Sequence, residues 1–341
     1  MGFDDGRDQW DEMSNIETSQ ELGRDIRTGN AVELGIPTDE LLLAAVDRND
    51  WAEAQRWSTY LLEEASQIHT VLTTWIEGLL QVGGERILDW AACCDELEHV
   101  IGAPPFLRSS RDEMVDAAVS RFEECIRHHR ADQVRGRLHE MRRAQWQVHD
   151  DLTDWVWGLL TVFCNALGED ALESVFRSSM EEWVTARYQM LSKMTQRQKF
   201  EMTIEGMRSH FSGPASSGEI KVEEMNDRWV LSLDPCGSGG RMRRGSAMRN
   251  QTSRSELPYL FSSVEMAHDW TWGQKDVCLY CVHCAFVNEI FPIEQTGEPL
   301  RITEYSANAD DACRWIIYKD EVNIPSAAYI RVGTKPPDSL T

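Results

Sequence analysis

The sequence predicts an α+β protein: a mainly helical N-terminal bundle with an internal duplication, then a small α/β metal-binding domain. Three observations carry this. Two segments repeat one helical pattern, a Gly/Pro/Ser cluster at 212–218 interrupts the chain, and beyond it strand-length apolar runs appear with five cysteines. The chain has 341 residues, which suggests about two domains. Its 34 Lys+Arg and 57 Asp+Glu give a net charge of −23, against nucleic-acid binding, which rests on basic residues meeting phosphates.

Residues 1–40 carry 11 acids and 3 bases with little periodicity, and are expected to form a loosely ordered acidic arm. The first residues lack the basic and apolar regions of a secretory signal. No run approaches the length of a membrane span, so no membrane contact is expected. These features point to the cytoplasm. There, nine cysteines are better read as metal ligands or reactive thiols than as a disulfide framework.

The helical region is expected over 41–211. His69-Thr-Val-Leu-Thr-Thr-Trp-Ile-Glu-Gly-Leu-Leu80 matches His149-Asp-Asp-Leu-Thr-Asp-Trp-Val-Trp-Gly-Leu-Leu160. His69, Leu72, Trp75 and Leu79 are spaced by three, three and four, which places them on one helix face, as for His149, Leu152, Trp155 and Leu159. Gly78 and Gly158 interrupt good helix formers and imply close helix approach. His69 and His149 read either as ligands of a shared cavity or as core histidines satisfied by neighbours. Pro104-Pro105 separates the two units, and one long helical stretch is expected from Glu169 to His210.

A cysteine-rich α+β domain is expected over 215–335. Ile220, Val222 and Trp229–Leu233 flank Asn226-Asp227 and read as a hairpin, and Leu300–Thr303 and Cys313–Tyr318 as further strands. Cys278-Leu-Tyr-Cys281-Val-His-Cys284 overlaps two C-x-x-C pairs, and Cys236 in Asp-Pro-Cys-Gly-Ser-Gly-Gly offers a fourth thiol. Cys236, Cys278, Cys281 and Cys284 therefore form the expected metal set, with zinc first and an iron–sulfur cluster as the alternative. Cys236 has a second reading, as a nucleophile in an anion-binding nest. Residues 237–255 hold five arginines and no acid. Arg241, Arg243 and Arg244 are candidates for gripping a carboxylate from a loop. His268, Asp269 and His283 are candidate acid–base residues, and Trp270 and Trp272 candidate walls of an apolar pocket.

The segment Asp310-Asp311-Ala-Cys313-Arg-Trp315-Ile-Ile resembles the final strand of 4-vinyl-reductase-type domains and of the L-2-amino-thiazoline-4-carboxylate hydrolase group. That resemblance implies a compact small-molecule domain over roughly 120 residues, sometimes with zinc and sometimes used as a sensor. It transfers no catalytic residue.

The expected function is a metal-dependent enzyme, hydrolase- or lyase-like, acting on a small organic acid. The alternatives are a small-molecule sensor with a structural zinc, and an iron–sulfur or thiol redox protein. The expected partner is a small molecule, with a homodimer left open.

Overall fold

The computed structural model describes residues 15–105, 110–245 and 251–337. It is α+β, with its long helices between residues 38 and 209 and its larger sheet after residue 220.

The acidic arm differs from expectation. Residues 1–14 lie outside the described residues, but β1 (Asn15–Ser19) and β2 (Arg24–Thr28) pair antiparallel. Arg27 from β2 is buried and donates to the carbonyls of Ile36 and Glu33, both at 2.7 Å. Arg24 bonds Glu205 at 2.9 and 2.5 Å. The charge count of the segment hid two basic side chains that anchor it.

Helix α1 (Thr38–Asp47) leads into α2 (Trp51–Arg86), whose N-cap Asp50 accepts from the Glu53 amide at 3.0 Å. Helix α3 (Trp90–Ile101) stops at Gly102, with φ of 74°. Helices α4 (Ser110–Arg127) and α5 (Ala131–Leu167) follow, and α5 packs on α2. Gly78 of α2 lies so close to α6 (Leu172–Leu191) that a Cβ would sit 2.2 Å from the Ser179 carbonyl oxygen. Gly158 of α5 meets Leu97 of α3 in the same way, at 2.4 Å.

The single stretch expected from Glu169 to His210 is broken. After α6 the chain turns and restarts as α7 (Gln196–Ser209), because Thr195 and Gln198 cap it reciprocally. The signature Thr195-Gln-Arg-Gln198 is present in the sequence.

Strands β3 (Lys221–Glu224) and β4 (Arg228–Leu233) form the expected hairpin. Helix α8 (Gly239–Arg244) follows where a loop was expected. Two short helices, α9 (His283–Ala285) and α10 (Phe291–Thr296), are joined by a π-helical turn over Phe286–Ile290. Strands β5 (Ile302–Glu304) and β6 (Cys313–Tyr318) and helix α11 (Ser326–Ile330) complete the chain. The sheet order is β3-β4-β6-β5, antiparallel throughout.

The hydrophobic core runs unbroken through the 212–218 segment. Leu72, Trp75, Trp155 and Phe200 belong to the same packed cluster as Trp229, Leu231, Tyr280 and Trp315. Among the described residues no helix is long and apolar enough to cross a membrane.

Candidate functional site

The thiols are assembled by the sheet. The β4–β6 register sets Leu233 opposite Cys313, and Cys236 follows β4 by three residues. The α9 segment brings Cys281 and Cys284 to the same place. Cys236, Cys281, Cys284 and Cys313 thus line one small cavity of about 30 Å³, with His283, His210, Tyr280 and Tyr305 around them. Cys278 lies beside Cys281, with which its thiol is hydrogen-bonded. It does not line this cavity, and its Sγ accepts from the Cys281 amide at 3.2 Å. Cys313 reaches the cavity through a strand pairing that sequence spacing cannot show.

Burial in apolar surroundings raises the pKa of the Cys236 and Cys284 thiols, with neighbouring thiols adding to it. Cys281 is raised chiefly by its hydrogen bond with Cys278 and then by burial, and Arg243 opposes this. Gly240 donates its amide to Cys236 Sγ at 3.0 Å, the nest-like contact expected, but desolvation outweighs it. Burial thus works against a low-pKa nucleophile at Cys236. Among the described residues no three His, Cys, Asp or Glu side chains form a ready-made metal centre. The thiols share one cavity without being drawn up to a common point.

A second cavity, of about 340 Å³, adjoins the first and shares Met207, His210, Tyr280, His283 and Trp315 with it. Much of its remaining wall comes from α2, α6 and α7, including Trp75, Trp183 and Met180, with Leu22, Arg24, Val287 and Arg301 completing it. His283 stands between the two. Its Nδ1 donates to the Tyr280 carbonyl at 2.5 Å, so Nε2 keeps its lone pair, 3.6 Å from Cys284 Sγ. Burial lowers its pKa to about 4, so the ring is neutral. His210 is also neutral, because burial and His149 push its pKa down. Its Nδ1 is 2.9 Å from His149 Nε2. His69 and His149 face each other with ring centroids 6.5 Å apart.

The other expected site residues serve the fold. Arg241 is buried in a bidentate pair with Asp150, Nη1 to Oδ2 at 2.9 Å and Nη2 to Oδ1. Arg244 holds Asp234 and the carbonyls of Ala309 and Asp310. Arg243 donates to the carbonyls of Ser306 and Ala307 and lies over Tyr305. Arg241 and Arg244 are thus paired with carboxylates, while Arg243 donates through Nη2 to backbone carbonyls. Arg249 lies outside the described residues. His268 bonds Glu169 at 2.6 Å and stacks on Trp270, while the Asp269 carboxyl packs against Gly333. Trp272 donates to the buried Glu289 at 2.9 Å and stacks on Tyr305. None of these four lines either cavity.

Sequence reasoning missed Arg301, which occurs in a strand-like run without any motif. It lines the larger cavity, 8% exposed, stacked on Trp315 with its guanidinium carbon 4.0 Å from the ring centroid. No family model, curated protein or solved structure matches the chain.

Proposed function

We propose that the chain is a metal-dependent enzyme whose metal is held by thiolates at the small cavity and whose substrate occupies the larger one. The observation that carries this is that Cys236, Cys281, Cys284 and Cys313 line one small cavity beside a ligand-sized one. Cavities of roughly 300–1,000 Å³ are typical of small-molecule sites. A donor set of sulfurs with a nearby imidazole suits a soft or borderline ion, zinc first. The narrow space favours a single ion over a cluster. Three thiolates leave a coordination position for water or a substrate carbonyl, which the metal would activate. His283, with Nε2 unprotonated between the cavities, is the residue placed to carry protons. The lyase- or hydrolase-like reading rests on that arrangement.

A structural zinc in a ligand-binding sensor is the second reading. It is favoured by there being four thiols rather than three around the small cavity. We further read α1–α3 and α4–α6 as two copies of one unit. The reciprocal packing of Gly78 on α6 and Gly158 on α3 supports it.

The test is metal content and absorption of anaerobically purified protein, repeated with cobalt, for the native chain and for Cys313→Ser and Cys278→Ser. The expected result is one ion per chain, thiolate-to-cobalt charge-transfer bands, loss of metal in Cys313→Ser and retention in Cys278→Ser. A folded chain that takes up no zinc, cobalt or iron refutes the metal reading. Several irons with labile sulfide would replace it with a cluster. Four thiolate ligands with no exchangeable position would favour the sensor.

A further inference from the structure

The larger cavity has an unusual electrostatic make-up. Three arginines line it, and only Arg24 has a carboxylate, Glu205, which is itself held by Arg24 and by Tyr60 at 2.8 Å. Arg301 and Arg187 pair with no acid among the described residues. Arg301 is more than nine-tenths buried. Its Nε donates to Asn288 Oδ1 at 2.8 Å and its Nη1 to Thr203 Oγ1 at 2.9 Å, which together with Trp315 fix the plane of the fork. Nη2 makes no hydrogen bond with the described residues.

Burying a guanidinium without a counter-charge is costly, and cores avoid it. Here the cost shows in the guanidinium itself: burial, with Arg187 adding repulsion, brings the Arg301 pKa down to about 9. Arg187 is lowered by burial as well. A second observation points the same way. Arg187 Nε, Trp183 Nε1 and Trp315 Nε1 are buried and have no hydrogen-bond partner, and all three residues line this cavity. Every one of these orphans is a donor. Buried polar groups are normally satisfied, so a wall whose residues carry unpaired donors favours an occupant rich in acceptors over a cationic one. The helical side adds an apolar and aromatic face in Trp75, Met180 and Val71, beside polar residues such as Gln67 and Ser209.

We propose that the larger cavity binds an organic carboxylate with an apolar body, its carboxylate received by Arg301 and Arg187 and its body packed on Trp75 and Trp183. This deepens the reading above by giving the substrate class, and rests on it only for the claim that the bound acid reacts. It also relocates the expected carboxylate grip from Arg241, Arg243 and Arg244 to two residues outside the basic stretch.

The test measures binding by calorimetry with 1-naphthoate and octanoate, each against its carboxamide, using the chain as purified and after chelation. A carboxylate received by two guanidiniums should bind about 10- to 100-fold tighter than the neutral amide. Arg187→Met, which removes a head group with no acid partner among the described residues, should remove about tenfold of the acid affinity and leave the amide unchanged. Arg301→Met should erase the preference, and Arg301→Lys should restore part of it, which a purely structural role would not do. Equal affinity for acid and amide, or no binding of either acid at millimolar concentration by the folded chain, overturns the proposal. Chelation separates the two readings: acid binding that survives in a chain without any metal keeps this inference while the metal reading fails.

Discussion

The Asp150–Arg241 pair is one of the contacts that tie the cysteine-rich region to the helical region, and its removal can be worked through in numbers. The side chains are 2% and 5% exposed, and Arg241 also donates to the Gly237 carbonyl at 2.9 Å, one residue from Cys236. Asp150→Leu leaves a buried guanidinium without its charge partner, and Arg241→Met leaves a buried carboxylate. Breaking a buried pair on one side costs about 3–5 kcal/mol. Unfolding entropy of roughly 2.1 cal/mol/K per residue gives about 0.7 kcal/mol/K for a chain of this length, so each single change should lower Tm by about 4–7 °C. The double variant replaces both charges with apolar groups and should cost less than either single change, because no ion is left unpaired. Calorimetric melts of the four proteins close the cycle. Costs that add to within about 0.5 kcal/mol would show that the two groups are not coupled and would refute the reasoning.

Other expectations can be checked on the same footing. Gly78→Ala drives a methyl against the Ser179 backbone and should cost about 2–3 kcal/mol, while Gly158→Ala meets only the Leu97 side chain and should cost less; the reverse order in thermal melts would contradict the packing account. Burial and His149 hold the His69 pKa at about 3, well below its ordinary value near 6.5, so the fold favours the neutral ring. That contribution is complete above pH 6.5 and is lost as pH falls toward 3, about 3 kcal/mol of it between pH 7 and pH 4. His69→Phe should flatten this part of the pH–stability profile, and an unchanged acid limb would remove His69 as its source. Cys313→Ser should lose metal where Cys278→Ser keeps it, measured by metal analysis, and the opposite pattern would return the ligand set to one drawn from local spacing.

Elements were legible where the signal was local. Helical spacing around Trp75 and Trp155, the β3–β4 hairpin and the strand at Cys313–Tyr318 follow from the period of apolar residues. The break before α7 was equally local, a capping box, but lay inside a continuous apolar pattern. The site was legible only as composition. Three cysteines in seven residues announced thiol chemistry, yet Cys278 stays in contact with Cys281 without lining the small cavity, while Cys313 arrives through strand register. The basic stretch was visible as charge, but whether an arginine is free depends on acids far along the chain: Asp150 for Arg241 and Asp154 for Arg254. Arg301 is the converse, an arginine without a local motif whose importance comes from having no acid partner among the described residues.

The uninterrupted core changes what the glycine- and serine-rich 212–218 segment means. It is a seam in the sequence but not in the energetics, since Phe200 stacks on Trp229 across it with ring centroids 4.5 Å apart. A protease cut there should yield two fragments that stay together, and neither half made alone has a partner for its aromatic face. The larger cavity takes its walls from both sides of the seam. Any molecule it holds therefore acts as a rivet, raising the melting temperature of the nicked and the intact chain alike through the ordinary linkage of binding to folding.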